Sequence, residues 1–237
     1  MSERVSVLIG AYNEEWRLPS TLREIERYCG EDHPVDVDEV IIVSDGSRDR
    51  TIERAQYFIG RIPGLRFEIF VQNRGKWAAL HRGMELAVND WVLLLDADGS
   101  ASISELGRLD ALPDCPIWGR RVDVVGKGPL RKMLSVGYRL FAGLCYRMAV
   151  GKRAWMSDVQ CPWKLFRRNW VARELVMERF AGDIELAFAL PEGKNMDVRF
   201  LHRGGSKVRW AALFSMIRET REAMKRAYRF RKIDVGM

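Results

Sequence analysis

The 237-residue chain contains few of the residues that form metal–sulfur sites or disulfide scaffolds. It has four cysteines and three histidines, and the cysteines lie far apart without a CxxC pair. This scarcity excludes a zinc ribbon and a disulfide framework, and a reducing cytoplasm is the simplest setting for such a chain. With 47% hydrophobic residues and only eight prolines, a disordered or collagen-like chain is also excluded. We expect one domain over residues 1–237 with a substantial core.

Long apolar runs are also missing. The apolar run near the N-terminus, residues 5–11, is followed at once by polar residues and is too short for the core of a signal peptide. The most hydrophobic later stretch, residues 130–151, is interrupted by arginines and lysines, whereas a membrane-spanning helix needs about 20 mostly apolar residues. We therefore expect neither a secretion signal nor a transmembrane helix.

Two common nucleotide-binding motifs are absent. The first apolar run is not followed by GxGxxG, and GxxxxGK[ST] occurs nowhere, so neither a dinucleotide site nor a P-loop is indicated. The residues after that run, 11–14, read AYNE and lack the glycine-rich, arginine-containing loop expected of a sugar-phosphate nucleotidyltransferase.

Charge is distributed unevenly along the chain. The formal net charge is +7, but residues 1–110 carry −7 and residues 111–237 carry +14. A positive half of this size attracts nucleic acid, anionic lipid headgroups or a phosphorylated substrate, and charge alone does not choose among them. A basic face that is merely solvated is the simpler alternative.

The first half alternates strand-like and helix-like segments. Apolar runs rich in β-branched residues alternate with segments of helical spacing, which is typical of a mostly parallel sheet covered by helices on both faces. The sequence therefore predicts an α/β fold. The predicted strands are 5–11, 40–44, 67–72 and 91–96, and the predicted helices are 19–28, 49–59 and 76–88.

Each predicted strand ends in polar residues. These are residues 12–14, 45–47, 73–76 and 96–98. Open parallel sheets bind ligands at the carboxyl ends of their strands, so the four groups are expected to share one edge. Any one of them has an ordinary alternative as a turn or a helix cap, but four together indicate a site.

The chemistry of this edge suits a metal and a diphosphate. Asp96 and Asp98 offer two hard oxygen ligands without nearby His or Cys, which favours Mg²⁺ or Mn²⁺ over zinc. Asp45 is placed to accept hydrogen bonds from a nucleobase, and Lys76, with backbone amides at a helix start, is placed to meet phosphate.

The chain resembles glycosyltransferase family 2. The motifs that carry the resemblance are VSVLIGAYNEE at 5–15, VIIVSDGSRDRT at 40–51, NRGKWAAL at 73–80 and LLLDADGS at 93–100. Later motifs are similar to the subgroup that makes polyprenyl-phosphate sugars, the dolichyl-phosphate glucose and mannose synthases. These later motifs are GRR at 119–121, SDVQCPWKLFRR at 157–168, FAGDIELAFAL at 180–190 and GGSKV at 204–208.

The resemblance implies a GT-A-type, Rossmann-like fold and an inverting, metal-dependent hexosyltransferase. Its implied acceptor is a polyprenyl or dolichyl phosphate, and its implied donor is UDP-glucose or GDP-mannose. The implied donor-binding residues are Ala11, Tyr12, Asn13, Glu14, Asp45, Lys76 and Ala97, with Asp96 and Asp98 as the metal-binding pair.

The resemblance also implies an acceptor site in the second half. The residues matched to it are Arg121, Arg131, Ser135, Arg203, Ser206 and Lys207. Because an acceptor phosphate is already largely ionised at neutral pH, we expect one in-line displacement at the anomeric carbon. Asp183 and Glu185 match an acidic pair that contacts the sugar or acts as a base, and their alternative is a pair of surface carboxylates at a helix start.

The chain departs from the family pattern at four places. Gly10 replaces a proline, Ser44 replaces the first Asp of DDGS, Trp77 replaces the last glycine of GKG, and residues 162–163 replace the GF of QCGFK. Only Ser44 removes a charged group. Trp77 is open to two interpretations, a wall of the sugar pocket or a core residue.

Two helical stripes in the second half combine apolar and aromatic residues with basic neighbours. One runs from Leu130 to Met148 and the other from Trp210 to Met224. Such C-terminal amphipathic helices suit a membrane surface, which a lipid-phosphate acceptor requires, so we expect a peripheral protein at the cytoplasmic face. The alternative is that both stripes pack on the core or on a partner protein.

Rival functions remain at this point. One is a family 2 enzyme that acts on a soluble or glycolipid hydroxyl, which requires a general base. Another is a basic nucleic-acid-binding protein, although no RRM, zinc finger or helix–turn–helix signature is present and we expect no nucleic-acid partner. A third is a module that binds nucleotide sugar without turnover. The DIE element at 183–185 is more similar to the glucose branch, while a membrane-protein partner or a homo-oligomer is left open.

Overall fold

A computed structural model gives the fold of most of the chain. It describes residues 4–125, 158–171, 175–179, 181–201 and 217–226, together with Gly137, Leu140, Phe141, Gly143 and Leu144.

A seven-stranded sheet forms the centre of the fold. Its strand order is β3-β2-β1-β4-β6-β5-β7, and only β6 runs against its neighbours β4 and β5. The predicted α/β fold with a mostly parallel sheet is confirmed. The strands are β1 (Arg4–Ala11), β2 (Asp36–Ser44), β3 (Leu65–Ile69), β4 (Trp91–Asp96), β5 (Ile117–Val125), β6 (Lys164–Arg167) and β7 (Lys194–Leu201).

Helices cover both faces of the sheet. Helix α1 has a proline in its first turn, where the missing amide hydrogen costs nothing, and it buries Leu18, Leu22 and Ile25. Short 3₁₀ helices lie at Ile103–Arg108 and Arg168–Trp170. Within the continuous ranges that the structure describes, the α-helices are α1 (Leu18–Cys29), α2 (Thr51–Gln56), α3 (Lys76–Leu86), α4 (Gly182–Ala189) and α5 (residues 217–226).

Two hydrophobic clusters fill the space between the sheet and the helices. One lies beneath α1 and contains Val7, Ile9 and Leu93, and the other lies beneath α3 and α4 and contains Leu8, Leu94 and others. Side chains alternate between the clusters along β1 and β4, as expected for strands buried on both faces. Because β1 to β4 pair in parallel, their carboxyl ends lie at one edge of the sheet.

Helix α5 packs on the protein through small side chains. Thr220 and Ala223 are buried, and Ala223 joins the cluster beneath α4. Its exposed positions are Arg218, Arg221, Glu222 and Lys225. The described part of this helix therefore presents a basic rather than an apolar surface to solvent. None of the described helices combines the length and hydrophobicity needed to cross a bilayer.

The predicted elements of the first half are present with shifted ends. Strand β2 begins at Asp36, four residues before its predicted start, because its polar residues alternate with buried Val37 and lie outside the apolar run. Helix α2 ends at Gln56 rather than Ile59, where the chain turns through hydrogen bonds from Phe58 and Ile59. Strands β5, β6 and β7 were not predicted from periodicity.

Contact between α3 and α4 depends on one glycine. A Cβ atom placed on Gly182 would lie 2.1 Å from the Trp77 ring, well inside van der Waals contact, whereas one on Gly83 would meet Leu8 at an ordinary 3.6 Å.

We therefore expect Gly182→Ala to lower the free energy of unfolding by about 1–3 kcal/mol, as overpacked cores do. Gly83→Ala is the matched control and should be neutral or stabilising, because alanine favours the helix interior. Urea unfolding of both variants measures this, and equal stability of the two would contradict the packing described here.

Candidate active site

The loops that follow β1 and β2 are joined by hydrogen bonds. The amide of Asn13 donates to the Ser47 hydroxyl at 3.0 Å, and its side-chain oxygen accepts from the amide of Arg48 at 2.8 Å. The amide of Glu14 donates to the Thr51 hydroxyl at 2.7 Å. Asn13 has a φ of 53°, a conformation that asparagine tolerates better than most residues. These hydrogen bonds hold the two loops together at the carboxyl edge of the sheet.

Asp45, at the end of β2, holds the loop that follows β3. Its carboxylate accepts from the Asn73 side chain at 2.8 Å and from the amides of Arg74 and Gly75 at 2.7 and 2.9 Å. Burial raises the pKa of Asp45, although the two amides and the neighbouring arginines oppose this rise. Asp45 therefore positions residues 73–75, and its predicted contact with a nucleobase stays a prediction.

Lys76, the first residue of α3, contacts the acidic pair. Its ammonium lies 2.5 Å from the Asp96 carboxylate, and its side chain is 40% exposed. Burial disfavours the charge of Lys76, but the carboxylates of Asp96, Asp183 and Asp98 outweigh it and raise the pKa of the lysine above its ordinary value. A permanent positive charge thus lies within reach of a diphosphate at this edge.

Asp98 is held from two sides. One carboxylate oxygen accepts from the amide of Ser100 at 2.9 Å, and the other lies 3.7 Å from the guanidinium of Arg17. Arg17 also donates twice to Glu14, at 2.6 and 2.5 Å. The structure therefore connects the AYNE loop to the acidic pair through Arg17, a residue that the motifs did not single out.

The backbone amides at the start of α3 already have an acceptor. Trp77 and Ala78 donate to the carbonyl of Glu178 at 2.8 and 3.1 Å. Because these two amides are already hydrogen-bonded, they do not meet phosphate as we expected. The predicted phosphate contact at this helix start therefore rests on the Lys76 side chain. Trp77 itself is 1% exposed and is a core residue, which decides between its two interpretations.

Asp183 belongs to a buried ion pair. Its carboxylate accepts from the Lys164 ammonium at 2.5 Å and from the Trp77 indole at 3.3 Å. Burial alone would raise the pKa of Asp183, but Lys164 and then Lys76 more than compensate, so the pKa lies below its ordinary value. Lys164, on β6, is 1% exposed and was not recognised from the sequence as a functional residue.

Glu185 lies one helical turn from the start of α4 and is also buried. One of its oxygens accepts from the amides of Val176 and Met177 at 2.8 and 2.7 Å, and the other lies 3.7 Å from Arg226 of α5. Asp183 and Glu185 do begin a helix, but neither is a surface carboxylate.

Arg121, on β5, is paired with a buried carboxylate. Asp158 accepts two hydrogen bonds from its guanidinium, at 2.6 and 2.7 Å, and is 1% exposed. Burial disfavours the arginine's charge, but Asp158 outweighs this and raises the pKa of Arg121. The predicted acceptor arginine is therefore held rigidly in its charged form. Arg131, Ser135, Arg203, Ser206 and Lys207 lie outside the described residues.

The acidic pair has the chemistry for a hard divalent cation. Asp96 and Asp98 are 29% and 23% exposed, so their oxygens are accessible from the edge of the sheet. Mg²⁺ is commonly held by one or two carboxylates together with substrate phosphates, so the pair fits such an ion. Within the described ranges no group of three or more His, Cys, Asp or Glu forms an all-protein metal cage.

A mostly parallel sheet with acidic and basic side chains at its carboxyl edge is the arrangement expected of a GT-A-type transferase. The chain belongs to glycosyl transferase family 2, whose model matches residues 6–172.

Several named relatives show which kinds of family member the chain is similar to. The chain is 31% identical to a dolichyl-phosphate beta-glucosyltransferase of Dictyostelium discoideum over 78% of its own length and 61% of the relative's. It is 29% identical to the human protein of that name over 79% and 63%, and 32% identical to an undecaprenyl-phosphate 4-deoxy-4-formamido-L-arabinose transferase of Pseudomonas savastanoi over 70% and 48%. The chain thus spans 53% to 70% of the length of these dolichyl-phosphate glucosyltransferases.

Solved structures support the fold. Glucosyl-3-phosphoglycerate synthase of Mycobacterium tuberculosis matches with a TM-score of 0.68 at 18% identity, covering 95% of this chain and 80% of that one. Another crystal structure of that synthase contains Mn²⁺ and UDP. Mannosyl-3-phosphoglycerate synthase of Rubrobacter xylanophilus also matches with a TM-score of 0.68 at 18% identity, covering 99% and 75%.

Removing the lysine of the buried pair should be costly. We expect Lys164→Met to lower the free energy of unfolding by about 3–5 kcal/mol, because it leaves the buried Asp183 carboxylate uncompensated. Lys194→Met is the matched control, since Lys194 forms an exposed pair with Asp114 and should tolerate the change. Chemical denaturation measures the stability of both variants. Equal losses of stability would contradict the burial of the Lys164–Asp183 ion pair.

Proposed function

We propose that the chain transfers glucose from UDP-glucose to a polyprenyl phosphate such as dolichyl phosphate. The names of the curated relatives support this proposal, since each gives a polyprenyl phosphate as the acceptor. The donor is inferred from the word glucosyl in the names of most of these relatives and from the UDP bound to a protein of the same fold.

One observation favours a phosphate acceptor over a hydroxyl. A hydroxyl has to lose a proton to a general base, ideally one with a pKa near the working pH. Asp183 is paired with Lys164 and has a lowered pKa, and Glu185 accepts two amide hydrogens. Both carboxylates that the family resemblance offers as a general base are thus engaged in structural contacts. A phosphate needs no base, because its second pKa is about 6.

The described residues would act mainly by binding and orientation. Lys76 contributes a fixed positive charge toward the donor's phosphates, and Asp45 keeps Lys76 in place through residues 73–75. Arg121, held by Asp158, keeps a rigid cation on the acceptor side. A divalent cation held by Asp96 and Asp98 would neutralise the charge that develops on the departing diphosphate. The displacement inverts the configuration at the anomeric carbon.

The acceptor places the reaction at a membrane surface. A polyprenyl phosphate presents its headgroup at the bilayer surface, and the net charge of +14 in residues 111–237 suits anionic lipid. Helix α5 contributes Arg218, Arg221 and Lys225 to that charge on its exposed face. We infer peripheral attachment at the cytoplasmic face.

Acceptor preference tests the proposal directly. The purified protein is given UDP-glucose or GDP-mannose with either a polyprenyl phosphate or the matching polyprenol in detergent. We expect UDP-glucose consumption with the phosphate to be at least about 100-fold faster than with the alcohol, the low end of what a missing general base costs. The rate should rise with pH through about 6 and then level off as the phosphate becomes a dianion. Comparable turnover of the alcohol would overturn the phosphate assignment.

Metal binding is tested separately from activity. We expect Asp98→Asn to weaken Mn²⁺ binding in the presence of UDP by about tenfold or more, because it removes a charged oxygen ligand. Electron paramagnetic resonance of free Mn²⁺ provides the measurement. Asp114→Asn is the control, as the Asp114 side chain is 90% exposed and its ion pair with Lys194 lies at the surface. Unchanged Mn²⁺ affinity in Asp98→Asn would remove this residue from the metal site.

A further inference from the structure

A short segment, residues 175–179, forms hydrogen bonds both with Glu185 of α4 and with the first turn of α3. At one end of the segment, the amides of Val176 and Met177 donate to a single oxygen of Glu185. At the other end, the carbonyl of Glu178 accepts from the amides of Trp77 and Ala78. The segment therefore transmits the position of a buried carboxylate to the first turn of the helix that begins with Lys76.

The segment packs closely against Gly75, the residue that precedes α3. A Cβ atom on Gly75 would lie 2.4 Å from the Glu178 carbonyl oxygen, and Gly75 has a φ of 120°, which side chains disfavour. The side chain of Glu178 also accepts from Arg74 at 2.7 Å. Residues on both sides of Lys76 are thus fixed, by Asp45 before it and by Glu178 after it.

Glu185 is suited to anchor this segment. One side-chain oxygen of Glu185 accepts both amides, so the length of this side chain determines where the segment lies. The other oxygen faces Arg226 of α5 at 3.7 Å, so the same carboxylate connects the segment to the C-terminal helix. A group with these partners holds backbone in place.

We propose that Glu185 is a positioning residue that sets Lys76 for the donor's diphosphate through residues 175–179, and that it is not the base of the reaction. This inference rests on the proposed function, because it takes the diphosphate of a nucleotide sugar as the ligand of Lys76. The same geometry explains why a carboxylate in the DIE element is buried among amides.

Two variants of Glu185 distinguish the effect of side-chain length from the effect of charge. Glu185→Gln keeps an oxygen that accepts both amides and loses the charge, whereas Glu185→Asp keeps the charge and shortens the side chain. We expect Glu185→Asp to weaken binding of UDP with Mn²⁺ about tenfold and Glu185→Gln to change it less than about twofold. Turnover should follow the same order, and isothermal titration calorimetry measures the affinity. A catalytic base predicts the opposite order for turnover, with the Gln variant inactive.

A double-mutant cycle tests the route through Lys76. In a Lys76→Met background, Glu185→Asp should weaken UDP binding less than about twofold further, because the group that it positions is gone. Glu192→Asp, on an exposed residue, is the matched control. Additive effects of the two substitutions, or a loss of affinity in Glu185→Gln, would overturn the inference. Failure of the unaltered protein to bind either UDP or GDP would instead overturn the proposed function.

Discussion

Acidic side chains brought to one edge of a sheet repel one another unless cations lie between them. The parallel strands and α4 bring Glu14, Asp96, Asp98 and Asp183 to this region, and Coulomb repulsion grows as they leave water. Each carboxylate has a basic neighbour in the structure. The pairs of these four are Glu14 and Asp98 with Arg17, Asp96 with Lys76, and Asp183 with Lys164. A fifth carboxylate, Asp158, is paired with Arg121.

These pairs fall into two groups by exposure. The side chains of Lys164 and Arg121 are 2% and 12% exposed, and separating either from its carboxylate would leave a buried charge. The Lys76 side chain is 40% exposed, so a phosphate can reach its ammonium without such a loss. The buried pairs thus form a rigid frame, and the accessible pair at Asp96 is where ligand chemistry is feasible.

The departures from the family pattern are absorbed by packing. Trp77, which stands where the family has glycine, packs against the backbone of Gly182 and donates its indole hydrogen to Asp183. Trp163, in the altered QCGFK element, is fully buried. Ser44 is buried at the end of β2, with its hydroxyl near the amide of Ser47. These substitutions change what surrounds the charged groups and leave the described acidic and basic side chains in place.

The sequence by itself determined the α/β fold, because β-branched runs and helical spacing in residues 5–96 are local signals that need no partner. It also indicated the edge where Asp45, Lys76, Asp96 and Asp98 meet, since parallel strands share their carboxyl ends. The partners of Asp183, Glu185 and Arg121 were decided only by the tertiary structure. Lys164 and Asp158 come from β6 and the segment before it. Their pairings with Asp183 of α4 and Arg121 of β5 leave no periodic signal, because they form only when segments 19 and 37 residues apart pack together in the folded chain.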